Sequence, residues 1–484
     1  MLILLLILLP LLASIGAMAF RNDAVKVYAL IVSLVQLGIT CFAFTQFSSD
    51  MADQFLIHYD WIPALGINFK LGMDGISILL VALTNVLTPL IILSSYRNNH
   101  AKPAAFYGLI LFMQFALIGV FTALDGFLFY VFWELALIPI WLICLMWGGA
   151  EKVKITLRFF IYTLFGSLLM LIGLIYLYLN TPAPHSFDIA ALYNASVDPS
   201  TQGWLFWCFF LAFAIKIPIF PLHSWQPDTY TDAPAQGSML LSGIMLKMGI
   251  YGIIRWMLPV IPDGIAQWGE TALVLCTISI VYASVLALVQ KDFKRLIAYS
   301  SIAHVGLISA GVFSLNIQGL QGSMVQMLAH GVNAVGLFFI ADIIQRRLKT
   351  RNMDELGGLA NNSPLFTILF MIVMLGSVAL PMTNGFVGEF LLLSGVYQYS
   401  ATMALVCGLT VIFGAVYMLR AYQKVMLGEQ HARSVEFTGL ASSEKIVLIS
   451  VAALIIITGI YPKPILTIAQ PALEEVLLQI NNIY

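Results

Sequence analysis

The sequence is poor in charge and in clustered cysteine. Charged residues make up 10% of its 484 positions, whereas soluble globular chains carry roughly 25%. The five cysteines stand singly in apolar runs, which argues against a metal or iron–sulfur site. The formal net charge of −1 leaves no basic surplus for nucleic acid. No GxGxxG run opens a Rossmann unit, so neither a cofactor nor a metal is expected on this chain.

Apolar residues, by contrast, make up 60% of the chain. Runs of about 18 or more apolar residues predict membrane helices. These runs predict fourteen spans, near residues 2–19, 25–46, 76–95, 104–121, 126–149, 156–178, 204–222, 235–259, 268–290, 295–313, 320–344, 363–399 (interrupted), 402–422 and 444–462. The predicted fold class is an all-α integral membrane protein. The first run lacks a positive leader and is interpreted as a retained span that starts outside.

The basic residues predict the orientation of these spans. Odd-numbered connections hold 18 of the 23 lysines and arginines. Cytoplasmic loops are enriched in these residues, so both termini are expected on the outer side. Two further lysines, Lys216 and Lys247, each lie about twelve residues into a span, near the middle of the bilayer.

Two spans contain helix-breaking residues at corresponding positions. In span seven, Pro218 and Pro221 remove hydrogen-bond donors next to Lys216. Span twelve is interrupted at "LPMTNGFVGEF". An offset of five helices reverses direction through the membrane, so the pattern predicts two inverted repeats, spans 4–8 and 9–13. The expected organisation is helices 1–3 in residues 1–103, the repeat core in 104–425, and a last span with a short amphipathic segment in 426–484.

Among the ionisable residues of the predicted spans, six form a row across successive helices at similar depth, and we take them as candidate site residues: Glu134, Lys216, Lys247, His304, His330 and Glu389. Charged groups at this depth are costly and mark ion or proton pathways. Burial brings the pKa values of carboxyl and amine groups towards neutrality, where proton exchange costs least. A neutral imidazole both donates and accepts, so histidines suit a relay through bound water. The competing interpretation is that these side chains only tie helices together.

Several motifs, in order, resemble one membrane-protein family: "WELALIPIWLI", "FAIKIPIFPLHSWQPDTYTDAPAQGSMLLSGIMLKMGIYG", "DFKRLIAYSSIAHVGLI", "QMLAHGVNAVGLFF" and "PMTNGFVGEFLLL". They resemble the antiporter-like subunits of respiratory complex I, NADH:quinone oxidoreductase, which are related to Mrp antiporter subunits. The resemblance is dense over about residues 70–425. A glutamate at position 389 favours the subunit M, or chain 4, branch over the L and N branches. Tyr230 stands where many relatives have histidine, so no role of that histidine is transferred.

The resemblance implies a proton-translocating subunit of the bacterial inner membrane, a multi-pass protein with both termini periplasmic. Lys216, modulated by Glu134, would be the input switch. Lys247, His304 and His330 would form the central relay, and Glu389 would be the output group. L-like and N-like neighbours in the membrane arm are the implied partners, together with lipid and protons. FMN, iron–sulfur clusters and quinone are expected on partner subunits, where quinone reduction would drive this chain.

Three alternatives stay open from the sequence. The motifs are shared with multi-subunit Mrp-type Na⁺/H⁺ antiporters, in which the same residues would couple sodium to protons. A subunit of a membrane-bound hydrogenase or formate-oxidising complex is a second possibility. The third is a structural membrane scaffold whose polar residues only hold helices together.

Overall fold

The computed structural model describes residues 1–49 and 53–481 of the chain. Nineteen α-helices are found among these residues. The helices of the first half are α1 (Leu2–Ala17), α2 (Ala24–Gln46), α3 (Gly75–Ser94), α4 (Pro103–Thr122), α5 (Gly126–Trp147), α6 (Lys152–Leu179), α7 (Ile189–Tyr193), α8 (Pro199–Lys216), α9 (Gln226–Asp232) and α10 (Ala235–Leu240). Those of the second half are α11 (Leu246–Gly252), α12 (Pro262–Leu288), α13 (Phe293–Phe313), α14 (Ile317–Leu348), α15 (Pro364–Ser377), α16 (Asn384–Tyr399), α17 (Ala401–Met426), α18 (Ser442–Ile460) and α19 (Lys463–Asn481).

Most of these helices are suited to a bilayer. Eleven helical segments in the described part of the chain are long and apolar enough to cross a membrane. Two shorter apolar helices, α1 and α15, accompany them. The predicted helical membrane fold is therefore confirmed. The number of fourteen spans, the inverted repeats and the three-part division of the chain stay predictions.

Polar side chains mark the starts of several helices. The carboxylate of Asp74 accepts from the Ser77 N–H at the start of α3, and that of Asp125 accepts from Phe127 and Leu128 at the start of α5. Such caps satisfy N–H groups that have no partner within the helix. They fix where each apolar segment begins.

Both predicted helix interruptions are present. The first separates α8 from α9, and the second separates α15 from α16. Pro218 cannot donate to the Ala214 carbonyl, and the Ile219 N–H donates to it instead at 2.8 Å. The Ile215 carbonyl then accepts from the indole N–H of Trp225 at 2.9 Å. Because these two carbonyls accept from protein groups, the backbone at this part of the break is compatible with burial at membrane depth.

A β-hairpin lies between α2 and α3 and was not predicted. Strand β1 (Gln54–Ile62) pairs antiparallel with β2 (Ile67–Met73), and His58 lies opposite Lys70. Lys70 Nζ forms an ion pair with Asp188 at 2.6 Å. This contact joins the hairpin to the segment that follows α6. The hairpin is an addition to the otherwise helical fold.

The helices divide into an interior set and a peripheral set. In the most apolar part of the segment from Ala235 to Met257, 100% of the residues are buried, and the value for α13 is 94%. It falls to 28% in α2 and 33% in α18. Since a membrane helix that is buried all round must be surrounded by other helices, α10, α11, α13 and α14 form the centre of the protein.

Candidate functional site

Lys247 occupies the centre of this buried core and is 0% exposed. A π-helical turn at Leu241–Met245 directs the Leu246 N–H to the Leu241 carbonyl, five residues back. Lys247 Nζ donates to the carbonyl of Ser242, which lies 2.6 Å away. Its second partner is His330 Nδ1 on α14, at 2.8 Å. The π-turn thus provides a backbone acceptor for a buried amine.

His330 connects this amine to helix α13. Its Nε2 lies 3.0 Å from Ser301 Oγ, and Ser301 Oγ lies 3.2 Å from Ser242 Oγ. When Lys247 is protonated it can only donate, so His330 Nδ1 accepts and Nε2 carries the ring proton. Nε2 then donates to Ser301. The amine, the imidazole and the two hydroxyls form one hydrogen-bonded network across three helical segments.

A second buried contact joins His304 of α13 to Glu389 of α16. His304 Nδ1 and Glu389 Oε1 are 2.9 Å apart, and their side chains are 6% and 3% exposed. Neither ring nitrogen of His304 has an aligned hydrogen-bond partner among the described residues. The Glu389 oxygen therefore lies away from the ring N–H direction. We therefore treat the pair as a close contact without a hydrogen bond. Gln326 Nε2 donates to the same Glu389 oxygen at 3.3 Å.

The two contacts meet at a small polar cavity. The rings of His304 and His330 are 6.2 Å apart between centroids. A cavity of about 10 Å³ between them is also lined by Ser300, Ser301, Gln326, Asn333 and Ser377. Glu389 Oε2 and Asn333 Oδ1 are buried and have no hydrogen-bond partner in the described part of the chain. A volume of roughly 10–15 Å³ is the least that holds one water, so the cavity lies at the lower limit for a single water next to the two imidazoles.

Lys216 and Glu134 lie in a separate place. Lys216 ends α8 at the helix break and is 2% exposed. Its Nζ lies 5.2 Å from the centroid of the Trp133 ring, a cation–π geometry. Glu134, next to Trp133 on α5, is half-buried, and its Oε1 has no hydrogen-bond partner among the described residues. No ion pair within 4.0 Å joins these two described side chains.

Apolar contacts lie between α8 and α11, the helices that carry the two lysines. A Cβ on Gly249 would lie 2.6 Å from Ile217 and 3.0 Å from the Phe213 carbonyl oxygen. A Cβ on Gly252 would collide with the Phe213 ring. No hydrogen bond among the described residues connects Lys216 with Lys247. The six predicted residues therefore form two groups, a pair at the broken helix and a central cluster of four, where the sequence predicted one row.

Several members of the central cluster were not predicted from the sequence. Ser301 and Gln326 precede His304 and His330 by three and four residues, so each lies on the same helix face as its histidine. This spacing is the signal that could have identified them. Tyr230 of α9, the residue that departs from the family pattern, packs its ring against Trp225, which precedes α9, and against Phe338 of α14.

The fold and these buried groups define a multi-span membrane protein with an ionisable interior, as in transporters and proton pumps. Residues 123–414 match the family model described as "NADH:quinone oxidoreductase/Mrp antiporter, TM". This range includes all six candidate site residues. The chain belongs to this family.

Its relatives match over nearly their whole length. The chain is 39% identical to NADH-quinone oxidoreductase subunit M of Rickettsia conorii, covering 98% of both chains. It is 36% identical to NADH-ubiquinone oxidoreductase chain 4 of Marchantia polymorpha, covering 95% of this chain and 93% of that one. Among solved structures, a chain of respiratory complex I from Thermus thermophilus superposes with a TM-score of 0.92 at 29% identity, covering 99% of this chain and 100% of that chain. A chain of the Mrp complex from Dietzia has a TM-score of 0.85 at 21% identity, covering 98% and 97%, which shows the shared fold alone.

Proposed function

We propose that this chain is a proton-translocating membrane-arm subunit of NADH:quinone oxidoreductase, of the subunit M type. The observation that supports the proposal best is the central cluster. Lys247, His330, His304 and Glu389 come from four separate helices and meet in the buried core. Identity of 39% over 98% of a subunit M chain supports the particular assignment.

In the proposed mechanism, each group of the cluster receives a proton from one neighbour and passes it to the next. His330 accepts from Lys247 at one nitrogen and donates at the other, so proton transfer through the ring exchanges its two tautomers. Because Lys247 and Ser301 engage both His330 nitrogens, the proton from Nε2 would pass to the Ser301 hydroxyl, and a water in the cavity would connect that hydroxyl to His304. His304 would then exchange a proton with Glu389, the proposed output group, after a side-chain rotation that aligns the two atoms, which lie 2.9 Å apart.

Lys216 and Glu134 are proposed as the input switch. Lys216 is held against Trp133, and Glu134 has a buried oxygen available for a partner. Movement of Lys216 towards Glu134 would form an ion pair, and movement away would leave a buried amine that releases its proton. Because apolar side chains separate α8 from α11, proton transfer to Lys247 requires this segment to open or to admit water.

The remaining assignments are part of the same proposal. The chain would lie in a bacterial inner membrane with both termini periplasmic and with L-like and N-like subunits beside it. FMN, iron–sulfur clusters and quinone would be held by partner subunits. Quinone reduction there would drive proton transfer through the central cluster of this chain.

Proton uptake by vesicles that contain the assembled complex tests the proposal. Lys216→Met should abolish most proton uptake per NADH oxidised while the complex still assembles. Lys154→Met, at an exposed lysine of α6, is the matched control and should pump normally. Normal pumping by Lys216→Met would contradict the proposed switch. Pumping that required sodium would favour the Mrp-type alternative instead.

A further inference from the structure

A lateral groove of about 310 Å³ lies between α2, α3, α14, α18 and the start of α19. Its walls are apolar, with Leu79 and Val86 on one side and Leu328 and Val332 on another. This volume is at the lower end of the range for ligand pockets, roughly 300–1,000 Å³. Two polar residues, Thr458 and Asn384, also line the groove. An apolar groove with few polar groups suits a ligand that is mostly hydrocarbon.

The two polar residues differ in their hydrogen bonding. The Thr458 hydroxyl donates to the Leu454 carbonyl of its own helix at 2.6 Å. Asn384 is 2% exposed, and both its amide nitrogen and its amide oxygen have no hydrogen-bond partner in the described part of the chain. A buried amide without partners is unfavourable. A rotation of the Asn384 side chain towards the groove would give this amide a partner in a carbonyl group of a ligand there.

A free positive charge lies near the same groove. Lys463, the first residue of α19, is exposed and has no ion-pair partner among the described residues. Lys463 follows Gly459 by four residues. Gly459 packs closely against Asn384, since a Cβ on Gly459 would lie 2.6 Å from the Asn384 backbone nitrogen. Four residues span at most about 14 Å, so the long Lys463 side chain is within reach of a head group bound beside Asn384.

Helix α19 follows directly after α18, the last helix that is long and apolar enough to cross a membrane. It packs across the first residue of α3, because a Cβ on Gly75 would collide with the Ile468 carbonyl. The start of a membrane helix marks the boundary of the apolar layer. Pro464 and Ile465, directly after Lys463, line the groove from this boundary.

We propose that the groove binds one membrane phospholipid. One acyl chain fills the apolar groove, an ester carbonyl accepts a hydrogen bond from Asn384 Nδ2, and the phosphate pairs with Lys463. The proposal is independent of the proposed proton pathway, since none of its residues belongs to the central cluster.

Photo-crosslinking of the assembled complex tests this site. The probe is phosphatidylglycerol with a diazirine on one acyl chain, added to phosphatidylcholine vesicles that contain the complex. Labels should map to the groove faces of α3 and α14 more strongly than to the exposed Ile161 and Phe165 of α6. Ala82→Phe, at a half-exposed groove position, should remove this excess. Ala404→Phe, at a half-exposed position of α17, is the matched control and should keep it.

Two further variants separate the polar contacts from groove filling. Lys463→Gln should weaken labelling about fivefold, the effect of one basic residue at a membrane surface. Asn384→Leu should weaken it about threefold, the effect of an average hydrogen bond in a membrane protein. Lys463 is exposed, so its variant is expected to fold even if Ala82→Phe does not assemble. Labelling equal to that of α6, or unchanged in Lys463→Gln, would overturn the proposal.

Discussion

Removal of His330 should destabilise the protein more than removal of His330 and Lys247 together. His330→Leu leaves the buried Lys247 amine with the Ser242 carbonyl as its remaining partner. A hydrogen bond to a charged group contributes about 1.5–3 kcal/mol, so this variant should lose about that much stability. In Lys247→Met/His330→Leu both partners become apolar groups of similar size. Such replacements of a buried polar pair are often neutral or stabilising.

Thermal unfolding of the purified complex in detergent measures this difference, because all variants share the same partners and conditions. The midpoint should be lowest for His330→Leu and should recover in the double variant. Proton uptake driven by NADH should be lost in both, since the central relay is cut. Ser309→Ala is the matched control, because the Ser309 hydroxyl is buried and bonds only its own helix, at Val305. A double variant as unstable as His330→Leu, or less stable, would refute the inferred Lys247–His330 interaction.

Three further predictions follow from the structure. Glu389→Gln should strongly reduce protons pumped per NADH, with the exposed Glu270→Gln as control; near-normal stoichiometry would remove Glu389 from the pathway. Gly249→Val should reduce assembly, seen on native gels, because its side chain would overlap Ile217, and overpacking costs about 1–3 kcal/mol; normal assembly would contradict the close packing of α8 on α11. The Asp354 carboxylate outside the membrane has its pKa lowered by hydrogen bonds to two lysines. It should therefore stabilise its loop fully above the usual Asp pKa of 3.8 and lose this effect as pH falls through the lower folded value; proteolysis of this loop that is unchanged by Asp354→Asn at pH 7 would show that the contact is unimportant.

The sequence was sufficient to predict the helices because their apolar length is a local property. The predicted span 402–422 became Ala401–Met426, and 268–290 became Pro262–Leu288. The first helix extends beyond the predicted limits at both ends, whereas the second begins six residues earlier and ends two residues sooner than predicted. The breaks were predictable because proline removes a donor wherever it stands. The hairpin was missed because its residues mix polar and apolar types without a long run.

The candidate site was only partly predictable. Depth along a helix placed Lys247, His304, His330 and Glu389 at similar levels, and the structure brings them together. The π-helical turn that gives Lys247 its backbone acceptor depends on tertiary packing, and no local sequence pattern predicted it. The apolar contacts that separate the Lys216 pair from the cluster also depend on how helices pack. These features required the three-dimensional structure.

Detection of ordered water in the buried core is the most direct test of the proposed proton pathway. A cryo-electron microscopy map of the assembled complex, at a resolution that shows ordered water, would measure it. We predict a water in the cavity between His304 and His330, within hydrogen-bond distance of at least one ring, and Lys247 still bonded to His330. A dry cavity between the two rings, with His304 turned away from Glu389, would contradict proton transfer through this cluster.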